Sequence, residues 1–130
     1  MNSKTIPTEL TIPLDGASVL SLECWRLGRI AELLKDGNER VGIRHAVRNI
    51  AKTLVGIGIE VVDFKGRAYD SGMVPEVVEV RDDIALPDGQ AVVDETIAPT
   101  VIWHGQVIKA GQIVVRRSLP GPREYPKAVE

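Results

Sequence analysis

From Gly58 to Arg117 the chain is broken into short β-branched runs by glycine, proline and aspartate, and no other feature limits the fold as tightly. Branched side chains suit a pleated surface, while Gly, Pro and Asp suit the turns between strands. Strands are expected over Ile59 to Phe64, Val74 to Val80, Gln90 to Ile97, Val101 to Trp103, Gln106 to Ile108 and Gln112 to Arg116. The turns are Lys65-Gly66, Tyr69-Asp70-Ser71-Gly72, Pro87-Asp88-Gly89 and His104-Gly105, the last a two-residue hairpin turn in which Gly supplies a positive φ. Arg81-Asp82-Asp83 reads as a charged loop, and the imperfect alternation from Glu76 to Val80 predicts a bulge. Residues 58–117 are therefore expected to form a small antiparallel β-domain.

Upstream the period changes. Leu20, Cys24, Leu27, Ile30, Ala31 and Leu34 recur at steps of three and four, which is one helical stripe, with Asp15 or Ser18 as its cap. The segment 35–39 then separates two helices: Gly37 is able to adopt the left-handed conformation, and Asp36 and Glu39 have capping-box spacing. In the second helix Val41, Ile43, Ala46, Val47, Ile50, Ala51, Leu54 and Val55 form a wide apolar face. Arg40, Arg44, Arg48 and Lys52 follow one another at i+4 on a different face, which suits either solvent or an acidic partner. Residues 15–57 thus read as a helical hairpin, and the whole chain as α+β. Two helices alone cannot cover both their own stripes and a sheet, so two hairpins are expected to pair into a four-helix bundle. The expectation is a homodimer held by Leu27, Ile30, Leu34, Val47, Ile50 and Leu54. Residues 1–14, with Pro7 and Pro13, read as an extended arm, and residues 118–130, rich in Pro and Gly, as a mobile tail.

Composition bears on partners and compartment. A chain of 130 residues, 44% apolar and 26% charged, is within the range of a folded domain, but its core is small enough that a second subunit would help. A net charge of -2 with both signs interspersed gives no broad cationic field, which argues against nucleic acid as a partner. The single cysteine, Cys24, rules out an internal disulfide and fits a reducing compartment. No apolar run is long enough to cross a bilayer and Met1-Asn2-Ser3-Lys4-Thr5 does not lead into a signal-peptide core, so the expected location is the cytoplasm, with no membrane partner.

Chemistry is sparse in this sequence. A metal centre needs three or four ligands together, whereas Cys24, His45 and His104 are scattered over two helices and a hairpin tip. They read as a core thiol, an exposed helical histidine and a turn residue. Ser21 and Ser71 lack a histidine base held by a carboxylate. Gly56-Ile57-Gly58 follows a helix and precedes a strand, the reverse of a phosphate-cradling loop. Asp82, Asp83 and Asp88 read as solvated loop residues, and Trp103 as a contact anchor or a ring packed beside its hairpin. No catalytic residue, metal or cofactor is expected.

The order of parts carries more than any one motif. A helical hairpin leads into Gly58-Ile59-Glu60-Val61-Val62, then Tyr69-Asp70, a Val-rich strand with Asp82-Asp83 behind it, the Pro87-Asp88-Gly89 turn, and His104-Gly105-Gln106 with its closing apolar strands. Over Leu34 to Arg117 this resembles the C-terminal half of GrpE-type nucleotide exchange factors, co-chaperones of DnaK-type chaperones. The resemblance implies a non-enzymatic dimer whose β-domain grips the ATPase domain of a DnaK-like chaperone and opens its nucleotide cleft, promoting ADP release. It places chaperone contacts at Tyr69, Ile97, Gln106 and Val115, with Gly58 at the joint between bundle and β-domain. The sequence departs from the family in having only a short arm before its first helix, Val74-Pro75 where the family has a histidine, and Gln106 in place of the hairpin arginine. A dimeric adaptor that keeps the fold without exchange activity is the alternative. A faint similarity of residues 105–111 to a biotinyl or lipoyl hairpin would make Lys109 the carrier lysine, but the flanking methionine is absent.

Overall fold

In the computed structural model, which describes residues 6–119, the two apolar stripes form helices α1, Leu14–Leu33, and α2, Asn38–Gly56. Six strands follow: β1, Ile59–Val62; β2, Glu76–Asp83; β3, Ala91–Ala98; β4, Thr100–Trp103; β5, Gln106–Lys109; and β6, Gln112–Ser118. The α+β class and the helical hairpin are as expected from sequence. The tail beyond Leu119 lies outside the described residues, and Ser118 belongs to β6.

Neither helix uses the caps its sequence suggests. Helix α1 starts directly after Pro13, whose extended backbone (φ -67°, ψ 153°) delivers its carbonyl to the Ala17 N–H at 3.0 Å without a side-chain cap. Proline's fixed φ makes it suited to this boundary, and Asp15 falls in the first turn, where the helix dipole favours an acid. Helix α2 starts after Gly37 with no side-chain cap either, because Asp36 is drawn to Arg40, four residues on, at 2.6 Å.

The sequence stripe along α1 splits in two. Small residues, namely Ala17, Ser21, Cys24, Gly28 and Ala31, face inward, and a Cβ added to Gly28 would already touch Val47 of α2 at 3.6 Å. Close helix approach demands small side chains at the contact, and polar ones must be satisfied. Ser21 donates to the Ala17 carbonyl at 2.7 Å, and the Cys24 thiol to the Val47 carbonyl at 3.6 Å. The large residues are left outside: Leu20, Leu27, Ile30 and Leu33 are 52%, 41%, 50% and 86% exposed.

The strands make two three-stranded sheets, ordered β1-β4-β5 (sheet one) and β2-β6-β3 (sheet two). Sheet one is antiparallel and rests on the helical hairpin through Ala17, Cys24, Leu54, Ile59 and Val101, with Val47, Val61, Trp103 and Ile108 packed around them. Sheet two has its own core of Val93, Ile113 and Val115, closed by Phe64, Tyr69 and Met73 from the segment before β2. The expectation of a wholly antiparallel domain is corrected here, because β2 runs parallel to β6 in a mixed sheet. Arg81-Asp82-Asp83 is likewise strand rather than loop: its residues pair with Arg116, Arg117 and Ser118 of β6, whose cations offset its acids. The expected bulge is present between Val77 and Glu79.

The sheets meet where two corners cross. The β3–β4 corner at Pro99 lies against Gly111 between β5 and β6, so closely that a Cβ on Gly111 would stand 2.5 Å from the Ala98 carbonyl oxygen. Gly111 also donates its N–H to Thr100 Oγ1 at 3.1 Å and accepts from the Glu76 N–H at 2.8 Å.

Candidate functional site

The joint between α2 and β1 is built from Gly58 and the tip of the β4–β5 hairpin. His104 and Gly105 both have positive φ, 47° and 81°, the geometry of a type I′ turn, which suits the twist of the strands it links. That turn brings the Trp103 indole N–H to the carbonyl of Ile57, the residue that follows α2, at 2.9 Å and the His104 N–H to the Gly58 carbonyl at 3.0 Å. The His104 ring lies 4.5 Å from that of Trp103 and covers Gly58, where an added Cβ would fall 2.4 Å from the imidazole. With φ at 90°, Gly58 is also in a conformation that other residues resist. Trp103 is thus a packed ring that closes the end of α2, and Gln106 stands exposed beside it, paired with Trp103 across the hairpin.

A second group, which sequence reading did not find, links α1 to the strands. Asp63, just after β1, accepts from Thr96 Oγ1 at 2.6 Å, the Lys65 N–H at 3.0 Å and the Trp25 indole N–H at 3.2 Å. Arg29 lies over the Trp25 ring, 4.8 Å from its centre, and donates to the Thr96 carbonyl at 2.9 Å. Burial by itself would push the Asp63 carboxyl up, but the hydrogen bonds from Thr96, Lys65 and Trp25, with the Arg29 charge, hold it below the usual carboxylate range. This cluster ties the helical hairpin to sheet two, which the apolar core does not reach. The sequence signal for it is a carboxylate, Asp63, inside the apolar run from Ile59 to Phe64.

Charge pairing stitches sheet two. Arg116 pairs with Asp83 and, at 3.1 Å, with Asp94; Arg81 reaches Asp94 at 3.1 Å and Glu79 at 2.9 Å; Arg117 reaches Asp82 at 3.2 Å. The Asp83 carboxyl is lowered first by the Ala85 N–H and then by Arg116. The pattern that would have revealed it is the matching of Asp82-Asp83 with Arg116-Arg117.

The residues implicated by resemblance do not share one surface. Gly58 and Gln106 lie at the joint, Tyr69 packs half-buried into the second core, and Ile97, 41% exposed, faces the α1 flank near Arg26 and Ile30. Val115 is 3% exposed in the centre of sheet two, so its side chain supports that core rather than offering an accessible contact. Of the dimerisation residues, Leu27, Ile30 and Ile50 are exposed and Leu34 half-buried, whereas Val47 and Leu54 already pack within the chain's own core. Lys109 ends β5 opposite Val101 and is not at the hairpin tip, where a carrier lysine would stand.

Burial raises the pKa of the Cys24 thiol, which keeps it protonated and a poor nucleophile. Among the described residues no three Cys, His, Asp or Glu side chains gather as a metal site, and no helix is long and apolar enough to cross a membrane. An apolar groove of about 490 Å3 runs between the helices and β1, floored by Leu54, Ile59 and Val61. No protein-family model matches the chain, and no curated protein sequence matches it.

Proposed function

We propose that this chain is a cytoplasmic GrpE-like nucleotide exchange factor, a homodimer that binds the ATPase domain of a DnaK-like chaperone and promotes ADP release. The observation that carries the reading is the division of α1. Its small residues pack inward, while Leu20, Leu27 and Ile30, joined by Ile50 of α2, form an apolar face that the chain itself leaves uncovered. Exposed apolar side chains of that kind are suited to burial against a second hairpin, as a four-helix bundle would provide. The β-module, packed on the hairpin through sheet one and joined to it at Gly58, leaves its hairpin tip exposed for a partner to grasp.

Such a factor makes and breaks no bonds. It shifts the ATPase toward the open, nucleotide-free state only by binding that state better than the closed one, so a tenfold shift needs about 1.4 kcal/mol of differential affinity. Two measurements test this. Sedimentation of the purified protein should give a dimer, and Leu27→Glu/Ile30→Glu should give a folded monomer. Release of a fluorescent ADP analogue from a DnaK-type ATPase domain encoded in the same genome should accelerate on addition of the protein. A well-folded wild-type monomer, or an unchanged release rate without a complex, defeats the proposal. A complex that leaves release unchanged favours the adaptor reading, for which Gln106 and the buried Val115 are the motivating residues.

A further inference from the structure

We propose that the flank of α2 carrying Arg44, Arg48 and Lys52, bounded by Val41 and Val55, is a second docking surface, for an acidic patch on the partner ATPase domain. The inference rests on the exchange-factor reading and adds to it a surface outside the β-module.

Charge segregates along this helix. The chain as a whole is at -2, yet α2 carries four cations against the single acid Glu39. Arg40 is neutralised by Asp36 and Glu32, and Arg44 lies 4.0 Å from Glu32. Among the described residues Arg48 and Lys52 have no acidic partner. Like charges four residues apart oppose each other on a helix, so the row is tolerated rather than required by the fold.

Position separates this flank from the surfaces already assigned. By helical periodicity Arg44, Arg48 and Lys52 point away both from Leu54, which enters the core, and from Ile50, which belongs to the uncovered apolar face. A dimer built through that face leaves the row free. Val41 and Val55, 66% and 68% exposed, lie among the cations and supply apolar contact. The row also runs toward Gly58, so a partner seated on the joint and on Gln106 meets its end at Val55.

The chemistry favours a protein occupant. Arginine forks match carboxylates, and a single file of cations reads a line of acidic side chains. A nucleic-acid site calls for a broader basic field than a net-acidic chain offers. A membrane-surface helix needs aromatic or leucine anchors among its cations, and this flank has only two valines.

The test uses the full chain and the same DnaK-type ATPase domain. Arg48→Glu/Lys52→Glu should weaken binding by about tenfold or more and flatten its salt dependence, while circular dichroism and the sedimentation coefficient stay at wild-type values. Arg48→Lys/Lys52→Arg should bind nearly as wild type. If wild type binds and the reversed variant binds equally well, this inference is overturned and the exchange-factor reading stands. Failure of wild type to bind removes both. The inference also falls if wild type binds a labelled DNA duplex or phosphatidylserine vesicles as tightly as the ATPase and loses that binding in the reversed variant.

Discussion

The two sheets solve the same problem differently. Sheet one borrows its apolar cover from the helical hairpin, whose Ala17, Cys24 and Leu54 meet Ile59 and Val101. Sheet two is covered by chain folded back on itself, through Phe64, Tyr69 and Met73, and its strands are pinned by the Arg116, Asp83 and Asp94 pairs. The first arrangement packs the strands that flank the joint at Gly58 directly on the helices. The second gives sheet two a cover of its own, and the Asp63 cluster and the Gly111 crossing connect it to the rest of the chain. A separate cover of that kind suits a module proposed to grip a partner.

The strongest way to break the comparison is at the crossing itself. Gly111→Ala drives a methyl into the Ala98 carbonyl, the Pro99 backbone and the Thr100 nitrogen, none of which can swing away as a side chain would. The expected loss is about 3 kcal/mol, felt in both sheets, and denaturant unfolding would measure it. Next come paired core truncations. Val101→Ala and Val93→Ala should each destabilise by roughly 1–3 kcal/mol, since both side chains are buried. Hydrogen exchange should separate them: Val101→Ala loosens α1, α2 and sheet one first, whereas Val93→Ala loosens sheet two. Equal loosening everywhere would mean the sheets form a single cooperative unit.

Gly58→Ala should cost about 1–2 kcal/mol, because a positive φ is imposed on alanine and the His104 ring must move. The double change Gly58→Ala/His104→Ala should recover the steric part and leave the backbone part. The smallest effect belongs to Asp63→Asn, at about 1 kcal/mol near neutral pH from weakened hydrogen bonds linking α1 to sheet two. Its signature is the pH dependence. Folding lowers the Asp63 pKa, so its contribution is present above the unfolded value of about 4 and is lost as pH falls through the folded value beneath it. Thermal melts of wild type should therefore fall more steeply than those of Asp63→Asn below about pH 4, with Asp83, also lowered, contributing in the same direction in both proteins.

What the sequence disclosed followed from local chemistry. Pro87-Asp88-Gly89 is a turn with Gly89 at φ 80° and a 3.1 Å bond from Gln90 N–H to Pro87 O, and His104-Gly105 is the hairpin turn. The two helices and the bulge at Val77 were legible for the same reason. What escaped depends on tertiary choice. Period alone cannot tell which residues of a mixed stripe face inward, so Leu27 and Cys24 read alike although the close approach of α2 buries only the smaller. Parallel pairing of β2 with β6 leaves no mark on neighbouring residues, and charges at Arg81-Asp82-Asp83 look like loop until their partners at Arg116-Arg117 are known. The Asp63 cluster gathers residues from α1, the end of β1 and β3, a convergence that no linear spacing announces.

Strand β6 comes last of the six in chain order yet occupies the middle of sheet two, with β2 along one side and β3 along the other. During translation those two outer strands have nothing to join them until residues 112–118 emerge from the ribosome, whereas α1, α2 and β1 need nothing from that segment to meet. A nascent chain halted short of Gln112 would present Val77 and Val93 on open, sticky edges, making it a substrate for the holding chaperones that a finished copy of this protein is proposed to serve.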